Sequence, residues 1–190
     1  MPRTFLALNF SVAVTRKIAE EVERLKAPMG DAGFRVAWVP AANLHLTLKF
    51  LGSVNEELVE GVTGACRRVA ARHLPVEAKA LGLGAFPSLQ KPTVLWVGVD
   101  APPALSALQR DVEATMVELG FEKEERAYHP HVTVGRVKES RGPATDLWKG
   151  DALLGASPLS EIIVYESRTR SAGAEYVARA RVPLGDKEKR

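Results

Sequence analysis

The sequence predicts an α+β fold. Apolar residues recur with a period of two in some segments and of three to four in others. These segments do not follow the regular strand–helix alternation of a doubly wound parallel sheet. The chain is 190 residues long, 46% hydrophobic and 26% charged, and no Pro- or Ser-rich linker divides it. One domain over residues 1–184 is therefore expected, made of two lobes around a central cleft, followed by a polar tail at 185–190.

Residues 4–10 read as a first strand, rich in β-formers. Val14, Ile18, Val22 and Leu25 then mark one face of a helix that Gly30 and Gly33 end. Residues 34–39 form a short strand stopped by Pro40. In 44–51, Leu44, Leu46, Leu48 and Phe50 alternate with His45, Thr47 and Lys49, which predicts a half-buried strand with Phe50 in the core. Gly52 closes it, and Ser53 with Glu56 resembles a capping box for a helix carrying Leu58, Val62, Ala65 and Val69. Strands follow at 76–83 and 93–99. Pro102 and Pro103 open a third helix, with Leu105, Leu108, Val112, Met116 and Leu119 inward and Gly120 at its end. Residues 129–137 are a strand, 146–154 a weakly helical piece, and 162–165 and 176–182 an antiparallel pair.

The formal net charge of +3 permits a phosphate-bearing partner without requiring one. The single cysteine, Cys66, excludes an internal disulfide and reads as a buried helix residue. No apolar run reaches the length of a membrane span and no signal peptide is evident, so a cytoplasmic protein is expected.

The chemistry lies in two His-x-Thr segments, His45-Leu46-Thr47 and His131-Val132-Thr133. With four histidines and nine threonines, the chance that two or more histidines carry threonine at +2 is on the order of one in a hundred. On a strand, each motif presents imidazole and hydroxyl together while Leu46 and Val132 anchor the other face. Paired imidazoles near neutrality suit acid–base cleavage of a phosphodiester, with the hydroxyls as donors to phosphoryl oxygens and no metal required. Which histidine is acid and which base stays open at this level.

The segment from Trp38 to Gly52 around the first motif resembles the first signature of the RNA 2′,3′-cyclic phosphodiesterases, also called 2′-5′ RNA ligases, of the 2H phosphoesterase superfamily. Tyr128-His129-Pro130-His131-Val132-Thr133-Val134-Gly135-Arg136 resembles the second, and the likeness spans nearly the whole chain. The resemblance implies a bilobal, pseudo-symmetric fold of antiparallel sheet with outer helices. It implies hydrolysis of a ribose 2′,3′-cyclic phosphate to a 2′-phosphate, with reversible 2′-5′ ligation. By the same resemblance His45 protonates the departing O3′, His131 activates water and Arg136 binds phosphate. The implied partner is RNA with a cyclic phosphate end, tRNA fragments and nucleotides included. No cofactor and a monomeric state are expected.

Simple alternation puts Arg136 on the face opposite His131 and Thr133, so it reaches the cleft only through a twist or bulge near Gly135. Lys49 shares parity with His45 and reads either as positive charge for the cleft or as a solvated strand lysine. Phe86 and Tyr128 are candidate base-stacking residues, and Trp38 and Trp96 candidate core. His129 could pair with His131 on a metal, but Pro130 and the lack of a third ligand argue against it. His73 is expected at the surface or as a helix cap. A rival reading is an RNA-end binding module without turnover; another is a 2H enzyme acting on a different cyclic nucleotide.

Overall fold

The computed structural model describes residues 3–170 and 173–185; residues 186–190 of the predicted tail lie outside the described residues. Strands β1 (Arg3–Leu8), β2 (Arg35–Trp38), β3 (Leu46–Ser53), β4 (Val76–Phe86), β5 (Val94–Asp100), β6 (His131–Glu139), β7 (Gly150–Leu159), β8 (Glu161–Arg170) and β9 (Gly173–Pro183) join in one antiparallel sheet. Its order is β7-β4-β5-β6-β3-β1-β8-β9, with β2 added beside β6. The helices are α1 (Val12–Asp31), α2 (Glu56–Ala70) and α3 (Pro103–Glu118).

The strand order is symmetric about its middle. β6 matches β3, β5 matches β1, β4 matches β8 and β7 matches β9. The connections β1–α1–β3 and β5–α3–β6 repeat the same plan, apart from the short β2 before β3. Apart from the β2–β6 pairing, the two halves of the sheet meet at Leu46 opposite Val132, which are the middle residues of the two His-x-Thr motifs. The fold thus brings segments 86 residues apart in sequence (132 against 46) to a shared centre.

The main core lies on one face of the sheet. Leu6, Leu8, Leu46, Leu95, Val97 and Val132 pack there with Val14, Ile18 and Leu25 of α1, Val62, Cys66 and Val69 of α2, and Leu108, Val112 and Met116 of α3. Burying such side chains contributes roughly 1.5–3 kcal/mol each. The opposite face carries a small second cluster of Phe5, Ala7, Ile163 and Tyr165, with Tyr176 against it.

Several local expectations are corrected. Residues 146–154 are not helical: β7 occupies most of that stretch and pairs with β4. The register shifts near Gly155, whose φ of 149° and whose fit against Val14, 3.0 Å from a would-be Cβ, both suit glycine. The cap of α2 is Asn55, whose side chain accepts from Leu58 N at 2.9 Å, while Ser53 is still in β3. Helix α1 runs through Pro28 and Gly30 before Gly33 turns the chain at φ 83°. β4 and β8 extend well past their predicted ends. Gly185, assigned to the tail, donates its amide to Ala70 O at 3.0 Å.

Candidate active site

Both motif strands carry a bulge one residue after the threonine. On β3, Ala7 faces Thr47 but Leu6 faces Lys49, so Leu48 is the extra residue. On β6, Trp96 faces Thr133 but Leu95 faces Gly135, so Val134 is the extra residue. A bulge reverses the parity of everything beyond it. Leu48 and Lys49 are consequently both buried, and Phe50 turns out to the motif face with 68% of its surface exposed. Likewise Val134 and Gly135 are both buried and Arg136 turns out beside Val94, on the same face as Trp96, Thr133 and His131. Glycine is required at the second bulge, because a Cβ on Gly135 would come within 2.7 Å of Val36 Cγ1 and 3.0 Å of the Trp38 ring.

The condition set for Arg136 is therefore met, and two expectations fail. Phe50 is not core. Lys49 is not in the cleft: its ammonium donates to Glu113 Oε1 and to the carbonyl of Glu122, each at 2.7 Å. This buried pair ties β3 to α3 and to the loop ahead of β6. Tyr128 adds a second tie, its phenol donating to Thr47 O at 3.1 Å while its ring packs on the main core. Burial raises the phenol's pKa well above its usual value. Tyr128 braces the two motifs rather than offering a free face for stacking.

The two histidines are held alike. His45 Nδ1 lies 2.7 Å from Asn43 O, and His131 Nδ1 lies 2.6 Å from His129 O. A carbonyl only accepts, so each Nδ1 bears the proton and each Nε2 is left for substrate. Burial holds the pKa of His45 below the ordinary imidazole value; its bond to Asn43 O opposes this, and the charges of His131 and Arg136 lower it further. Burial also lowers His131, opposed by its bond to His129 O and aided by the charges of His129 and Arg136. The charge of Arg136 thus reaches both catalytic imidazole positions, and that of His131 reaches His45.

Aromatic rings line both histidines, and most were not singled out from sequence. Phe5 lies 4.8 Å from the His45 ring and Tyr176 meets it edge-on at 5.3 Å. Phe86, expected near the cleft, meets His131 edge-on at 5.0 Å. Trp96, assigned to the core, is only half-buried and stands 5.3 Å from Phe86 and 6.3 Å from His131. Trp96 lies across Gly84, where a Cβ would approach the indole to 2.1 Å. Trp38 packs at the core edge beside Trp148. The alternation of Trp96 with Leu95 and Val97 carried a signal for the cleft, but Phe5 on β1 is far in sequence from Tyr165 and Tyr176 on β8 and β9.

His129 is exposed with its ring 5.1 Å from Trp96, and among the described residues no His, Cys, Asp and Glu gather in a metal-binding group. His73 Nε2 lies 2.8 Å from Asp111 Oδ2, linking the end of α2 to α3. The Cys66 thiol is buried and its pKa is pushed up to about 12. No described helix is long and apolar enough to cross a membrane.

A model of the 2′-5′ RNA ligase superfamily matches residues 14–149. A protein of Methanothermobacter thermautotrophicus named RNA 2′,3′-cyclic phosphodiesterase is 36% identical over 139 residues, 73% of either chain. A protein of the same name from Thermotoga maritima is 36% identical over 138 residues, 72% of this chain and 70% of its own. The one from Aeropyrum pernix is 32% identical over 158 residues, 80% of this chain and 89% of its own. Among solved structures, TT0787 of Thermus thermophilus superposes with a TM-score of 0.81 at 24% identity, covering 96% of this chain and 98% of that one. E. coli LigT complexed with 3′-AMP superposes with a TM-score of 0.76 at 23% identity, covering 97% and 99%. At these identities the structural matches speak for the fold.

Proposed function

Because the chain belongs to the 2′-5′ RNA ligase superfamily, we propose that it is an RNA 2′,3′-cyclic phosphodiesterase that opens the ring to a 2′-phosphate by acid–base catalysis without a metal. The observation that carries the mechanism is the matched pinning of His45 and His131 through Nδ1, which leaves two Nε2 atoms on one face of the sheet. In this scheme His131 Nε2 takes a proton from water, whose oxygen bonds to phosphorus. The P–O3′ bond breaks, and the imidazolium of His45 protonates O3′. Thr47 and Thr133 donate hydroxyl hydrogen bonds to the non-bridging oxygens, and Arg136 neutralises their charge. When a ribose 5′-hydroxyl replaces water as nucleophile, the same steps join two RNA ends by a 2′-5′ bond.

The test is to incubate the protein with an oligonucleotide ending in a 2′,3′-cyclic phosphate in excess EDTA. Conversion to the 2′-phosphate is expected. A 3′-phosphate product, or turnover only on adding a divalent metal, would refute the scheme.

The histidine shifts give a pH expectation. The acid must be protonated and the base neutral, and both pKa values of the free enzyme are lowered from about 6.5. The bell of kcat/KM, which reports the free enzyme, is expected to peak below pH 6.5. A bound phosphate anion favours imidazolium, so the kcat profile is expected to lie at higher pH. A kcat/KM optimum above pH 7.5, measured at constant ionic strength, would contradict the lowered values.

A further inference from the structure

His45 and His131 are pinned alike, but the two pins are supported differently. The carbonyl that meets His45 belongs to Asn43, in a short turn where Asn43 N donates to Pro40 O at 2.8 Å and Leu44 N to Ala41 O at 3.2 Å. The carbonyl that meets His131 belongs to His129, near the end of the irregular connection 119–130 between α3 and β6. Among the described residues, the hydrogen bonds that tie residues 122–128 of this connection to other elements end on three groups. Glu122 O accepts from Lys49 Nζ at 2.7 Å, Glu124 N donates to Glu113 Oε1 at 2.9 Å, and the Tyr128 phenol donates to Thr47 O at 3.1 Å. Lys49 Nζ also donates to Glu113 Oε1 at 2.7 Å, which makes the first two ties one unit.

Lys49 reaches this connection because the bulge at Leu48 turns its side chain away from the motif face. The side chains of Lys49 and Glu113 are only 3% and 15% exposed. A buried ion pair is often no more stabilising than an apolar pair of the same volume, because desolvation offsets the Coulomb gain. What this pair supplies, and an apolar pair would not, is a donor for Glu122 O and an acceptor for Glu124 N. The strand of the first motif and α3 thereby grip the chain just ahead of the carbonyl that orients the second histidine.

We propose that Lys49 and Glu113 are positioning residues for the second motif, holding the connection so that His129 O stays on His131 Nδ1 and His131 Nε2 stays free to take a proton. This rests on the reading of His131 as the base of the reaction. Water can give its proton to Nε2 only when that nitrogen carries a lone pair, which is the Nδ1–H tautomer. A displaced His129 carbonyl releases Nδ1 and admits the Nε2–H tautomer, whose outer nitrogen is already protonated and cannot accept. The pair touches neither imidazole and acts through the backbone of residues 122–129. The first motif's strand thus sets the tautomer of the second motif's histidine.

The experiment compares wild type, K49R and K49M/E113L by nitrogen NMR of the imidazoles at alkaline pH, where both are neutral. It adds kcat and KM on a 2′,3′-cyclic phosphate and the melting temperature. The double variant is used because K49M alone would leave an unpaired carboxylate buried, which destabilises strongly. In wild type both His45 and His131 are expected as Nδ1–H. In K49M/E113L the melting temperature is expected to hold, His45 to stay Nδ1–H and His131 to give mixed Nδ1–H and Nε2–H signals. Its kcat should fall by about tenfold or more, within the roughly 10²-fold that misplacing a group by about 1 Å can cost, with KM little changed. K49R keeps the charge and the donors and is expected to behave as wild type. A His131 that stays wholly Nδ1–H in the double variant would reduce the pair to a support of the fold. An equal change at both histidines would mark general loosening, and K49R failing as fully as the double variant would take the role away from these hydrogen bonds; each result overturns the proposal. The tautomer is read without turnover. A wild type in which the pair holds His131 as Nδ1–H, but which opens no cyclic phosphate, would sink the proposed reaction and leave the positioning standing.

Discussion

Replacing His45 or His131 by asparagine is expected to lower kcat on a 2′,3′-cyclic phosphate by about 10²–10⁴-fold each, while leaving KM within a few-fold. Asparagine is chosen because its amide NH₂ can keep a hydrogen bond to the carbonyl that each Nδ1 now meets, Asn43 O or His129 O, but it offers no titratable Nε2. The strand and its partners then stay in place, and in the proposed mechanism Thr47, Thr133 and Arg136 still hold the phosphate. Loss of the base stops activation of water; loss of the acid leaves the O3′ alkoxide to depart unprotonated. The double substitution is expected to fall little below the worse single one, since two groups that act in one transition state are not additive. Rates measured at several pH values sharpen the result: each single variant should lose one limb of the bell. Near-wild-type turnover in either variant, with unchanged melting temperature, would remove the paired mechanism.

Much of this site was legible because a strand has a fixed period. Leu46 and Val132 alternate with the motif residues, and that parity was enough to place two imidazoles and two hydroxyls on one face. What parity could not supply was its own interruption. Nothing in Leu48-Lys49-Phe50 declares a bulge, since each residue type is acceptable in a regular strand; the insertion shows only against the register of β1. Simple alternation therefore puts Lys49 on the cleft face and Phe50 in the core, and the bulge at Leu48 reverses both. Gly135 gave a better warning on β6, because a glycine within a strand suggests a bulge or a close approach, and here both hold. The reading of 146–154 failed for a related reason. Its apolar residues, Leu147, Trp148, Ala152, Leu153 and Leu154, keep no period of two, and the stretch is a strand because β4 offers it a partner edge, a tertiary effect that overrides local pattern. The aromatic wall around His45 was out of reach, because Phe5, Tyr165 and Tyr176 meet only through the pairing of β1 with β8 and β8 with β9.

Arg136→Ala is expected to lower kcat/KM by about 10²–10³-fold, the scale on which one donor to a developing phosphoryl charge acts. The side chain is exposed at the cleft and, among the described residues, makes no ion pair, whereas Arg35, Arg168, Arg179 and Arg181 all meet carboxylates. An unpaired guanidinium beside two imidazoles raises the cost of charging either one, and it does so at both His45 and His131. Its removal therefore has two consequences of opposite sign. The phosphoryl oxygens lose their counter-charge, which slows the reaction. Both imidazoles lose a neighbouring positive charge, so their pKa values rise toward the ordinary value and the kcat/KM bell moves to higher pH. Arg136→Lys separates the two effects. Lysine keeps the charge and hence the pH position, but not the planar pair of donors, so the rate should recover only in part. A lysine variant as active as wild type would reduce Arg136 to a source of charge. An alanine variant with an unmoved pH optimum would mean that the guanidinium, although turned to this face by the Val134 bulge, does not act on the two histidines.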